Sequence, residues 1–135
     1  MIPIQYIEEI KVSAGDLDEL HHVNNVVYLK WVQRVAENHW RSAVSQTIQD
    51  QYIWVVLSHF IQYHKPAMLD DRLTLLTYVG EFEGVRSIRY VKIKRETELI
   101  AEAKTEWCML DAVTKRPRRV TDEVSQWFFQ NVIYR

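Results

Sequence analysis

The chain contains a single cysteine, Cys108, and only three glycines and three prolines in 135 residues. One thiol excludes an intrachain disulfide and any multi-cysteine metal site. So little glycine and proline, with no Ser/Gly/Pro-rich tract and no internal repeat, leaves small room for linkers. Long regular elements in one domain spanning 1–135 are expected. An excess of one charge is missing too: 17 Lys and Arg face 18 Asp and Glu, a net charge of −1 with a pI near 6.5. That balance gives no general electrostatic reason to bind nucleic acid, although a local basic cluster could hold a small polyanion. No apolar run approaches the ~18 residues of a membrane helix, and Met1–Tyr6 lacks the regions of a secretory signal. The expectation is a cytoplasmic protein without nucleic-acid or membrane partners. What is present is an ordinary globular mixture, 47% hydrophobic and 26% charged. A chain of this length buries roughly two-thirds of its unfolded surface, enough for a core without staples.

The β-rich start predicts a strand over residues 4–13. A polar segment, Gly15-Asp-Leu-Asp-Glu-Leu-His-His-Val-Asn-Asn, follows with turn and cap chemistry throughout. Asn24 or Asn25 is suited to cap a helix, its amide oxygen accepting a free backbone N–H. From Val26 to Val44, Tyr28, Trp31, Val32, Val35, Ala36, Trp40 and Ala43 recur at steps of three and four. That stripe is wide, as in a helix covered on more than one face. Strand propensity then dominates over 52–64, 72–79, 85–94 and 99–110, with Gly80–Gly84 reading as a hairpin connection. The last run alternates cleanly, Ala101, Ala103, Thr105, Trp107 and Met109 against Glu102, Lys104 and Glu106, so one face is buried. A short helix opens near Val120, with acids in its first turn. The pattern predicts an α+β fold: an antiparallel sheet of consecutive, hairpin-connected strands wrapped around one long central helix.

The chemically dense stretch, Asp16 to Asn25, lies just before that helix. A helix N-terminus offers unpaired N–H groups and partial positive charge. A carboxylate nearby can face a carbonyl polarised by those amides, which is half of an acyl-transfer site. Gly15-Asp-Leu-Asp-Glu-Leu-His-His-Val-Asn-Asn-Val-Val-Tyr-Leu-Lys-Trp resembles the signature of hotdog-fold acyl thioesterases, approximately D-x-D-x-x-G-H-V-N-N-x-x-Y-x-x-W/Y. These are the 4-hydroxybenzoyl-CoA thioesterase-like hydrolases and the related acyl-ACP thioesterases. Tyr63-His-Lys-Pro-Ala-Met-Leu-Asp-Asp, Arg86-Ser87 and the segment from Asp111 also resemble the family in matching order. The resemblance implies a hotdog fold and hydrolysis of an acyl-CoA or acyl-ACP thioester to a carboxylic acid and a thiol. It places the catalytic aspartate at Asp18, nucleophile or general base, and the carbonyl-polarising amide at Asn25. His22 would orient the loop or the water. Thioesters are activated, so an ordinary carboxylate, ionised at neutral pH, suffices. Asp16 is expected to organise the turn.

Three departures stand out. His21 occupies the family's glycine position and is expected to narrow the way in for substrate. Leu20 replaces an asparagine of the acyl-ACP constellation, and Gln33 replaces a helical glutamate. Substrate contacts are expected from Asn24, Tyr28 and Arg86, and from Arg116 and Arg118 in the basic cluster around Pro117, where a CoA phosphate needs cations. No metal or other cofactor is expected; His59 and His64, five apart on a strand, point to opposite faces. The resemblance further implies a homodimer, or a homotetramer, with active sites at the subunit boundary. Two rivals share the fold. An enoyl-CoA hydratase would use the spacing of Asp16 and His21, and a non-catalytic acyl-CoA-binding module would use neither aspartate.

Overall fold

The structure is a computed structural model that describes residues 1–131. Its elements are β1 (Ile2–Pro3), β2 (Tyr6–Lys11), α1 (Asn25–Ala43), α2 (Gln46–Gln51), β3 (Tyr52–Tyr63), β4 (Arg72–Glu83), β5 (Arg86–Arg95), β6 (Glu98–Asp111), α3 (Asp122–Ser125) and β7 (Phe129–Gln130). Five strands form one antiparallel sheet in the order β2-β4-β5-β6-β3, and α1 packs on its inner face. The α+β hotdog arrangement expected from the sequence is the one observed. Among the described residues no helix is long and apolar enough to cross a membrane.

The period-2 pattern places the sheet. Leu73, Leu75, Thr77 and Val79 of β4 are buried, as are Ser87, Arg89, Val91 and Ile93 of β5. Ala101, Ala103, Thr105, Trp107 and Met109 of β6 continue that face inward, as their alternation predicts. Against them α1 buries Tyr28, Trp31, Val32, Val35, Ala36 and His39. The helix starts where Asn24, the N-cap, accepts the Val26 N–H on its side-chain oxygen at 3.0 Å.

Three features differ from the sequence reading. The first strand proper begins at Tyr6, because residues 2–3 pair instead with β7 and the Ile4 N–H reaches Phe128 O. The strand expected to end at Val79 runs on to Glu83, bulging between Val79 and Glu81. Gly80 permits this: a Cβ there would lie 2.4 Å from the Tyr90 ring. The turn then tightens to Gly84 and Val85, with Gly84 at φ +59° in the left-handed region.

The third difference is topological. β3 is not hairpin-paired with β4; it lies at the sheet edge and pairs with β6. The segment 64–71 carries the chain across, held beneath the start of α1. Val23 donates to Ala67 O at 3.0 Å, and the Ala67 N–H donates to the Tyr28 hydroxyl oxygen at 3.0 Å. Arg95 pins the same turn through Asp71 at 2.6 Å and Pro66 O at 3.3 Å.

Candidate active site

The segment 13–25 folds as a cap built on its own carboxylates. Asp16 accepts the Ser13 N–H at 2.9 Å and the Ser13 hydroxyl at 3.1 Å. Leu17 and Val23 then bridge, closing a small hairpin whose tip is Glu19–His21. Within it Asp18 Oδ1 accepts the Leu20 N–H at 2.8 Å and the His22 N–H at 3.1 Å. The backbone seals the loop too, Asp18 N–H to His22 O at 2.7 Å and Asn24 N–H to Asp16 O at 2.9 Å. Both aspartates therefore organise turns, but differently. Asp16 Oδ2 takes a backbone amide and a hydroxyl, Asp18 Oδ1 takes two backbone amides, and the second oxygen of each has no partner among the described residues. His21 sits at the tip with φ +62°, a backbone state that favours glycine. That strain accounts for the pattern's glycine in physical terms.

The helix start beside this loop leaves a backbone donor open. Val26 N–H goes to the Asn24 side chain and Val27 N–H to Asn24 O at 2.9 Å. Just ahead of them, at the first helical residue, the Asn25 N–H has no acceptor among the described residues. Asn25 is exposed, and Tyr63 at the end of β3 donates its hydroxyl to Asn25 O at 3.3 Å. Half-buried His22 joins the site through its backbone bridge to Met68. The structure thus brings Asp18, His22, Asn24 and Asn25 together. An anion or a polarised carbonyl oxygen fits the open amide and the helix dipole.

Other expected contacts lie elsewhere. Tyr28 is 2% exposed, and its hydroxyl accepts the Ala67 N–H; burial raises its pKa above the usual tyrosine range. It is a core residue shaping the 66–71 turn, not a side chain open to substrate. The Asn24 side-chain oxygen is taken by the cap. Arg86 and Arg118 are exposed and pair with Glu106 at 2.6 Å and Asp111 at 3.4 Å. With Arg116 they sit where β6 ends, near Asp111. Asp18 and Asn25 instead neighbour the Tyr63 end, where Tyr63 pairs with Ala101. Ten residue steps of β6 separate the two ends, roughly 33 Å at ~3.3 Å per residue.

The sequence reading missed a buried polar group inside the sheet. Arg89 Nη1 donates to His39 Nδ1 at 2.8 Å and to Thr77 Oγ1 at 3.2 Å. The His39 ring stacks on Tyr6 at 5.3 Å between centroids. Burial first, then the Arg89 charge, lowers His39 to about 3, and burial lowers Arg89 to about 9. At neutral pH the pair is therefore a cation donating to a neutral imidazole. Arg89 shares the inward alternation of Ser87, Val91 and Ile93, the signal that could have placed it inside.

A sheet curled on one long helix is the hotdog fold, the fold of a class of thioester hydrolases. The acyl-ACP thioesterase N-terminal domain family matches residues 3–128, and the chain belongs to that family. It is 26% identical over 134 residues to the long-chain acyl-CoA thioesterase FadM of Escherichia coli (strain K12), covering 92% of this chain and 97% of that one. Among solved structures it is similar to the probable thioesterase YbaW from Escherichia coli. There the TM-score is 0.80 at 25% identity, over 90% of this chain and 94% of the other. The 1,4-dihydroxy-2-naphthoyl-CoA thioesterase Slr0204 from Synechocystis shares the fold, with a TM-score of 0.78 at 16% identity over 91% and 94% of the two chains.

Proposed function

We propose that this protein hydrolyses acyl-CoA thioesters, a reading that goes with the cytoplasmic setting expected from its sequence. One juxtaposition carries it: Asp18, with Oδ2 unpartnered, beside the open Asn25 amide at the start of a buried helix. The thioester carbonyl oxygen accepts the Asn25 N–H, which gains strength as charge develops on that oxygen. Asp18 then acts in one of two ways. As base it takes a proton from water attacking the carbonyl carbon; as nucleophile it forms an acyl anhydride that water opens. Either way the C–S bond breaks, the thiolate is protonated, and a carboxylic acid and free CoA result. His22 orients the loop or the water. The hydratase alternative is supported poorly, since His21 is held at a strained, exposed tip.

The working unit in this reading is a homodimer formed through β3. That strand is a twelve-residue edge with no Asp, Glu, Lys or Arg and no proline, and Val55 and Leu57 are exposed on it. Such an edge lacks the usual protection against pairing. Antiparallel pairing with a second copy about its middle would set the Tyr63 end of one chain beside the Tyr52 end of the other. The basic loop carrying Arg116 and Arg118 then meets the partner copy's Asp18 and Asn25, supplying cations for CoA phosphates. A thiol-release assay over a panel of acyl-CoAs, with acyl-ACP alongside, tests the reaction. Thiol release without added metal or cofactor is expected. Hydration of an enoyl-CoA with no thiol released from any panel member would overturn it.

A further inference from the structure

The cleft at the C-terminal half of α1 has chemistry that thioester hydrolysis at Asp18 does not use. It encloses about 270 Å³, just under the ~300–1,000 Å³ usual for small-ligand sites. Its walls are aromatic. Trp40 and Phe128 lie parallel with centroids 6.0 Å apart, and Trp54 meets Trp40 edge-on at 5.7 Å. Neither Asp18 nor Asn25 lines it.

Arg89 lies at this cleft, 6% exposed. Its guanidinium passes over the Phe128 ring at 5.7 Å and uses Nη1 on His39 and Thr77. Nε and Nη2 have no partner among the described residues, and no carboxylate pairs with the group. Burying a cation without a counter-charge is costly, and such a group is normally matched by a carboxylate or another anion. Glu37 and Arg41, exposed and of opposite sign, line the cleft as well, and neither forms an ion pair with Arg89. Trp107 also lines the cleft, but its indole N–H is shut away from solvent and has no acceptor among the described residues. An aromatic-walled cleft with a buried guanidinium that keeps two nitrogens free is complementary to an apolar anion.

We propose that this cleft is a binding site for an organic carboxylate with an apolar body, the carboxylate paired with Arg89 and the body lying against the aromatic walls. The fit is by charge and shape together. A free phosphate has no apolar body for the aromatic walls, and a neutral hydrocarbon leaves Arg89 unmatched. The inference is independent of the thioester reading, because free acids carry no thioester to cleave.

The test is titration of the full chain with 2-naphthoate, followed by tryptophan fluorescence, since Trp40, Trp54 and Trp107 line the cleft. Binding at least ~tenfold tighter than that of 2-naphthamide is expected, the scale of a charge-assisted pair. Arg89→Gln should erase that preference while leaving weak binding of both compounds. Because this variant removes a buried hydrogen-bonded group and could fail to fold, a second readout uses the unaltered protein. In a ¹H–¹⁵N spectrum the Arg89 Nε–H should shift as 2-naphthoate saturates. Equal affinity for acid and amide, or saturation with the Arg89 Nε–H unmoved, would overturn the proposal.

Discussion

The two ends of β3 belong to different kinds of chemistry. Near Tyr63 the surface is a loop whose side-chain hydrogen bonds from Asp16 and Asp18 span two to four residues, with Asp18 Oδ2 and the Asn25 amide left open. Among the described residues no arginine or lysine pairs with Asp18 there. Near Tyr52 the polar bonds reach across the chain, His39 to Arg89 among them, and the surface beyond is basic at Arg116, Arg118 and Arg119. One end has groups able to act on a carbonyl; the other has cations and an aromatic cleft. The lesson of the difference is that, in the proposed reading, a single copy carries two half-sites roughly 33 Å apart.

The largest expected effect breaks the first end. Asp18→Asn keeps an oxygen where Oδ1 accepts the Leu20 and His22 amides but removes the charge. Turnover on the best acyl-CoA should fall at least ~100-fold with little change in melting temperature. Wild-type turnover in a folded Asp18→Asn protein would remove the aspartate from the chemistry.

A stability effect singles out the other end. His39 is neutral in the fold, lowered to about 3 against an ordinary 6.5, so the unfolded chain takes the proton first on acidification. Its contribution is complete above 6.5 and is lost as pH falls toward 3, at up to ~1.4 kcal/mol per pH unit. Glu98 and Asp111 are also held low, by hydrogen bonds from Lys65 and Arg95 and from the Thr114 and Val113 amides respectively. They act only below their ordinary values of 4.5 and 3.8. Urea midpoints between pH 6.5 and 4.5 therefore report His39 together with His59, whose pKa burial also lowers, and the variant separates the two. His39→Gln should flatten the decline there, and an unchanged slope would locate the proton elsewhere.

The smallest effect returns to the loop. His21→Gly relieves a side chain at φ +62° and should stabilise the protein by about 0.5–1 kcal/mol. Chemical denaturation checks it; a lower midpoint would show that the imidazole holds the loop by contacts that outweigh the strain.

How much of this was legible in the sequence follows from the range of the interactions. The cap at Asn24, the turn role of Asp16 and the inward face of β6 rest on neighbours a few residues apart, and local pattern showed them. Strand order did not show. Whether β3 pairs with β4 or β6 depends on Ala67 meeting Val23 and Tyr28, contacts made only once α1 lies on the sheet. Tyr28 read as a site residue because its spacing matched a motif; its burial under Ala67 is a tertiary fact. Arg89 and His39 are fifty residues apart, and a charged residue on an apolar face is easily read as solvent-facing. The separation of Asp18 from Arg116 was invisible for the same reason: sequence order says nothing of which end of a sheet a loop occupies.

Mixed dimers test most directly whether the two half-sites meet between copies. One chain carries Asp18→Asn with its arginines intact; the other keeps Asp18 and carries Arg116→Gln and Arg118→Gln. Each homodimer should be impaired at subsaturating acyl-CoA. The purified heterodimer pairs one intact loop with one intact basic cluster and should recover about half the wild-type activity per dimer. A heterodimer no more active than the mean of the two homodimers would place loop and cations in the same chain, contradicting the account.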